Sequence, residues 1–193
     1  MPTVSGLNIA NAVNGQGLPG NTPALTGDHA AISSANAWGS TSGNPTGTVT
    51  FDFQTTYALD GFSFWNFNGL QNTAGINGVT ISTSTDGTTY NPLQNITGAT
   101  TFNATTGAGN FAIGTSSGTI PVQSYTSAIT NARYLRFNVT SNYGFPQAFG
   151  FSEAQFSGTP AAVPWETDAL PMIGSTVFFA CGVWIKRRRK NRQ

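Results

Sequence analysis

The sequence predicts an all-β fold, an antiparallel β-sandwich or jelly roll over residues 25–157, with one membrane-spanning helix near the C-terminus. Three observations predict it. Short apolar stretches alternate with polar residues at a period of two. β-Branched and aromatic residues abound while Lys, Glu and Leu are scarce. A 17-residue uncharged run, Ala169–Ile185, is followed at once by Lys186-Arg187-Arg188-Arg189-Lys190.

Residues 1–24 carry Gly15, Gly17, Pro19, Gly20 and Pro23 and read as an irregular arm. Val49, Phe51 and Phe53 alternate with Thr48, Thr50 and Asp52, the pattern of a strand with one buried face. Leu59–Phe67 is dense in aromatics and reads as a central strand covered on both faces. Val79, Ile81 and Thr83 form a third inward row, and Asp86-Gly87 marks a hairpin turn into Thr89-Tyr90. Residues 95–130 are rich in Gly, Thr and Ser, predicting weak strands and long loops. Leu135, Phe137 and Val139 make another inward face, and Phe149–Phe156 a last strand. No helix of three turns is predicted before residue 165. Residues 158–168 read as a linker, whose Pro160 and Pro164 should stop strand pairing.

Charge separates the two parts of the chain. Residues 1–160 have no lysine and two arginines against five acids, a net charge of −3. Such a body cannot neutralise a row of phosphates, so nucleic acid is excluded as a partner. Six of the eight Lys and Arg lie in residues 186–193, which should stay cytoplasmic and leave everything before residue 169 outside. The N-terminus has no basic n-region and no apolar h-region, so an export signal is expected upstream of Met1. The single cysteine, Cys181, lies within the apolar run and permits no internal disulfide.

Catalytic chemistry is poorly represented. His29 is the only histidine, it adjoins Asp28 in a Gly-flanked loop, and no Gly-x-Ser-x-Gly elbow accompanies it. Asp86 is accounted for by its turn and Asp52 by the polar face of a strand, which leaves few carboxylates for a glycosidase pair. The expectation is a protein that is not an enzyme. Oxygen ligands suit Ca²⁺. For recognition of a sugar, an aromatic platform with planar hydrogen-bonding groups is needed. Ser141–Phe149 supplies both in Asn142, Tyr143, Phe145 and Gln147, and Trp38 in the Trp38–Gly47 loop adds a face. Trp38, Trp65 and Phe149 suit a core better than a ligand face.

Four motifs occur in order: Trp65-Asn66-Phe67-Asn68, Gly78–Tyr90, Ala132–Phe137 and Gly150–Phe156. The series resembles the discoidin domain, also called the coagulation-factor type C domain, of the galactose-binding-like clan. The resemblance implies an eight-stranded antiparallel jelly roll whose loops at one end bind glycans, lipids or proteins. It also implies one structural Ca²⁺, with Asp28 and Glu153 at the matching ligand positions. The competing reading pairs Glu153 with Arg133 or Arg136 and has Asp28 cap a turn. The tail resembles the PEP-CTERM class of sorting signals, with Val163-Pro164-Trp165-Glu166 in place of the usual Pro-Glu-Pro, a variant like those of cyanobacterial proteins. That implies cleavage near the motif by an exosortase-type membrane protease. The expected function is a glycan-binding protein of the cell surface or exopolysaccharide matrix. The alternative is a structural matrix or filament protein that binds copies of itself.

Overall fold

A computed structural model describes residues 7–161. The strands in chain order are β1 (Trp38–Gly39), β2 (Gly47–Asn66), β3 (Gly78–Ser84), β4 (Asn91–Pro92), β5 (Thr97–Gly98), β6 (Ala108–Asn110), β7 (Gln123–Val139) and β8 (Gly150–Pro160). All pair antiparallel, in the order β1-β8-β2-β7-β3-β4, with β5 on β7 and β6 on β3. Among the described residues the only helical elements are short 3-10 turns, at Ile9–Ala12, Pro19–Asn21 and Gly69–Ala74. No helix there is long and apolar enough to cross a membrane, and the predicted 169–185 helix and the 163–166 motif lie outside the described residues.

Two long strands bend, and that makes the sandwich. The first part of β2, Gly47–Asp52, pairs with Tyr134–Val139 of β7, whereas Tyr57–Phe64 pairs with Gln123–Ala132 and also with β8. The ladder breaks between Asp52 and Tyr57. There Gln54 takes a positive φ of 65°, and the Asp52 carboxylate accepts its backbone N–H at 2.7 Å, a side-chain turn that holds the bend. The Phe137 backbone pairs with Val49 and Ile81 in one layer, while its ring lies 6.0 Å from Phe62 and Phe64 of the other. Phe64 and Phe111 stack at 3.9 Å in the middle, both wholly buried. This aromatic lattice is the core, and its ring pairs adopt mainly edge-on or offset geometries.

Several boundaries differ from the sequence expectation. The two aromatic segments expected as separate strands, 48–53 and 59–67, are halves of β2. Strand β7 begins at Gln123, inside the stretch read as weak strands and loops. The hairpin partner of β3 is Asn91–Pro92 rather than Thr89-Tyr90. Strand β8 continues through Gly158–Pro160, with Pro160 opposite Tyr57. A proline is tolerated there because it ends the strand, beyond the two residues that β1 pairs, where no further ladder bond is required of it. The arm is irregular but docked: Ala12 and Leu18 are buried, and the Gly15 N–H donates to Glu153 at 3.0 Å. The arm and the 25–27 loop cover the second face of Phe62–Trp65. Ser63 Oγ donates to the Leu25 carbonyl at 2.7 Å and Trp65 Nε1 to that of Gly27 at 2.9 Å.

Candidate functional site

The loops that follow β1, β2 and β7 meet at one end of the sandwich and are laced by backbone bonds. The Gly43 and Asn44 N–H groups donate to the Gln147 carbonyl, at 2.7 and 3.1 Å. Ser40 N–H donates to the Phe149 carbonyl while Phe149 N–H donates to Ser40 Oγ. On the other flank, Tyr143 N–H donates to Gly75 and Phe145 N–H to Thr73. Beneath them Asn66, fully buried, donates from Nδ2 to the Ile76 and Ala112 carbonyls and accepts at Oδ1 from the Ile76 and Phe67 N–H groups. Gly75 must be glycine for this knot to close, since a Cβ there would lie 2.6 Å from Asn66 Oδ1.

A cavity of about 370 Å³ opens beside these loops, with Trp38 and Phe149 on its floor and Ser40, Thr41, Asn44, Thr46 and Thr48 around it. Trp38 is half-buried, edge-on to Phe149 at 5.4 Å and to Phe151 at 5.6 Å. Of the other residues predicted to touch a ligand, Gln147 is exposed and its side chain is uncommitted among the described residues. Asn142 is committed to the fold: Nδ2 donates to the Phe145 and Ala148 carbonyls, and Oδ1 accepts from Gly144 N–H. Tyr143 donates its hydroxyl to the Phe111 carbonyl, and Phe145 packs on a small cluster of Ala37, Phe67, Ala74 and Ala148. Both rings stay half-buried, and Gly144 between them, at φ +105°, faces open space. The Thr and Ser hydroxyls around Trp38 went unnoticed in the sequence, since a Thr/Ser-rich chain offers no contrast by which to find them.

The two residues at predicted metal positions differ sharply. Glu153 is wholly buried; Oε1 accepts from Gly15 N–H and Gln155 Nε2, and Oε2 has no partner. Burial pushes its carboxyl up to about 7 against those two hydrogen bonds. Asp28 is exposed, its Oδ2 accepting from the Thr119 hydroxyl at 3.4 Å. No cluster of three or more His, Cys, Asp or Glu exists among the described residues. The competing pairing of Glu153 with arginine is not what forms. Arg133 makes a two-point bond to Asp52, at 2.9 and 3.0 Å, and Arg136 donates to Thr50 and stacks on Tyr90. His29 is fully buried, with Nδ1 on the Ala30 carbonyl, and desolvation lowers its pKa. A ring so enclosed cannot meet a substrate.

Comparison with known proteins decides the family. The family model described as F5/8 type C domain matches residues 10–151. The chain belongs to that family. The F5/8 type C domain therefore includes most of the arm, as the burial of Ala12 and Leu18 requires. No curated protein matches the chain. Among solved structures, the domain is similar to CBM32-3 from a family 31 glycoside hydrolase of Clostridium perfringens (17% identity, TM-score 0.44, covering 64% of this chain and 75% of that one). It is similar also to the C-terminal domain of a chitobiase from Bacteroides fragilis (15%, 0.47, 65% and 74%). A third is CpGH89CBM32-5 from Clostridium perfringens, in complex with GalNAc-beta-1,3-galactose (16%, 0.45, 62% and 73%).

Proposed function

We propose that this F5/8 type C domain is a non-catalytic glycan-binding module, exported and held at the cell surface or in an exopolysaccharide matrix. The observation that carries the reading is the cavity at Trp38, where the indole adjoins four hydroxyl and amide side chains on the loop after β1 and the Thr48 hydroxyl of β2. A pyranose ring has the same division, an apolar face and a rim of hydroxyls, and a half-buried tryptophan meets the first at little entropic cost. Gln147 on the adjoining loop extends the polar rim, and Tyr143 and Phe145 set the loop's shape as much as its contact surface. Trp38→Ala should reduce retention on a neutral glycan array by about tenfold or more. Loss of the indole with unchanged retention would remove the site from the cavity. Concentration-dependent assembly without any glycan binding would favour the self-associating alternative.

The C-terminal pattern supports placement at the surface, with Val163-Pro164-Trp165-Glu166 as a sorting motif read by an exosortase-type protease and the 169–185 run as a temporary membrane helix. Intact-mass measurement of the surface-extracted protein should then give a C-terminus near Pro164. A mass that retains Gln193 would overturn processing.

Glu153 is the residue that would hold a structural Ca²⁺. Its Oε2 is buried and unpartnered, and its carboxylate lies on the sheet face that the Leu25–Gly27 loop covers, where carbonyl oxygens are at hand. Bound there, the ion would supply positive charge to a carboxylate whose ionisation burial opposes, and would tie the arm to β8. Asp28, exposed and engaged by Thr119, fits that role less well than Glu153.

A further inference from the structure

The outward face of β2, β7 and β3 carries an arginine that is bonded to no acid. Thr50, Arg136 and Ser82 stand in one register row across the three strands, with Thr48, Asn138 and Thr80 in the outward row on one side and Asp52, Tyr134 and Ser84 in that on the other. The Arg136 guanidinium lies 3.4 Å from the centre of the Tyr90 ring, and Nε donates to Thr50 Oγ1 at 3.4 Å. The two terminal nitrogens have no hydrogen-bond partner among the described residues. Both carboxylates on this face are already engaged. Asp52 is held by Arg133 and the Gln54 N–H, and Asp86 Oδ1 by Ser84 Oγ and the Thr88 and Thr89 N–H groups. Arg136 is thus a fixed, planar cation in the middle of a flat grid of hydroxyls and one amide, and the only Lys or Arg among the described residues without an ion pair.

We propose that this face is a second saccharide site, centred on Arg136, which takes the carboxylate of a uronic-acid residue in an acidic polysaccharide. The inference rests on the glycan-binding reading and extends it to a charged ligand on the adjoining sheet face, which shares Thr48 with the cavity rim. Stacking on Tyr90 leaves the in-plane edge of the guanidinium free, and that edge matches a carboxylate in two-point geometry. Thr50, Ser82 and Asn138 lie where the hydroxyls of the same and neighbouring sugar rings would fall. A polyphosphate is a poor fit, because one cation cannot neutralise a row of phosphates. A purely neutral sugar would leave the charge unused. Of the domain's remaining acids, Asp60 pairs by register with none of these rows and accepts from the Ser157 hydroxyl.

The test uses the full-length chain in a nonionic detergent, with the six Lys and Arg of residues 186–192 changed to Gln in every sample so that the tail does not itself capture the polyanion, and with polygalacturonate and its methyl ester as probes in affinity electrophoresis. The charged polymer should be preferred by about ten- to a hundredfold, the range of one charge-assisted pair. Arg136→Gln should erase that preference with its melting temperature and its retention on neutral glycans unchanged. Arg136→Lys, which keeps the charge but not the planar fork, should fall between and serves if the glutamine variant folds poorly. Equal binding of the two polymers by the wild type, or a full preference in either variant, would overturn the proposal. Trp38→Ala reads the cavity independently. Should it alone lose neutral binding, the two sites are separate; should neutral glycans never bind, the cavity reading fails while an Arg136-dependent preference still stands.

Discussion

Asn66→Ala should destabilise the domain by about 4 kcal/mol, because it strips hydrogen bonds from four backbone groups, two carbonyls and two N–H, in a site that excludes water. That is a large part of the stability a domain of this size has to spare. Chemical denaturation with a fluorescence readout measures it, the buried Trp65 next along the strand acting as the probe. Asn66→Asp has nearly the same shape but lacks both donors and adds a buried charge, so it should be no better than alanine. If the aspartate variant matched wild type, the amide would not be the knot described. Either substitution should also weaken glycan retention, since Asn66 anchors Ile76, which bridges to Asn142 at the root of the 141–149 loop.

Stability should fall as pH rises from about 4.5 to about 7, by on the order of 2 kcal/mol after allowing for partial hydration of the site, through Glu153 alone. The folded protein keeps the proton that the unfolded chain gives up near 4.5, so folding is favoured below that value and loses the advantage as Glu153 ionises. His29 works the other way: its pKa is lowered by burial, so its contribution is present above 6.5 and is lost as the pH falls. Asp52 and Asp86, both held below the usual carboxylate range by hydrogen bonds, add stability that is lost only in stronger acid. Comparing wild type with Glu153→Gln separates Glu153 from these. In chelator at about pH 8 the glutamine variant should melt higher, because an amide needs no charge compensation. Added Ca²⁺ should raise the wild type and leave the variant where it was. A wild type indifferent to Ca²⁺ at that pH would remove the ion from Glu153.

Strand positions were legible wherever one face is buried and the other wet. Val49, Phe51 and Phe53, or Leu135, Phe137 and Val139, announce themselves by alternation because a strand turns every second side chain to the core. The start of β7 was not legible, because Ser124, Thr126 and Ser127 carry no apolar contrast; the pairing of Ser124 and Thr126 is imposed by β2. The bend in β2 was hidden likewise, since Asp52 and Gln54 make it through a side-chain turn that alternation does not record. At the site, Trp38 and the 141–149 loop could be read as candidates. Whether Asn142 was free for a ligand or spent on Phe145 and Ala148 could not, because one amide serves either purpose and only neighbours choose.

Sequence by itself determined the β architecture, the family motifs, the lack of cationic surface for nucleic acid and the division of charge between body and tail. These depend on periodicity and composition, which are properties of the chain alone. Tertiary structure decided that Asp52 takes Arg133, leaving Arg136 stacked and unpaired, and that Glu153 is sealed beneath the arm while Asp28 stays in water. Those outcomes depend on which residues, far apart in the chain, are brought within 3 or 4 Å, and at that range a carboxylate changes from surface charge to buried proton acceptor.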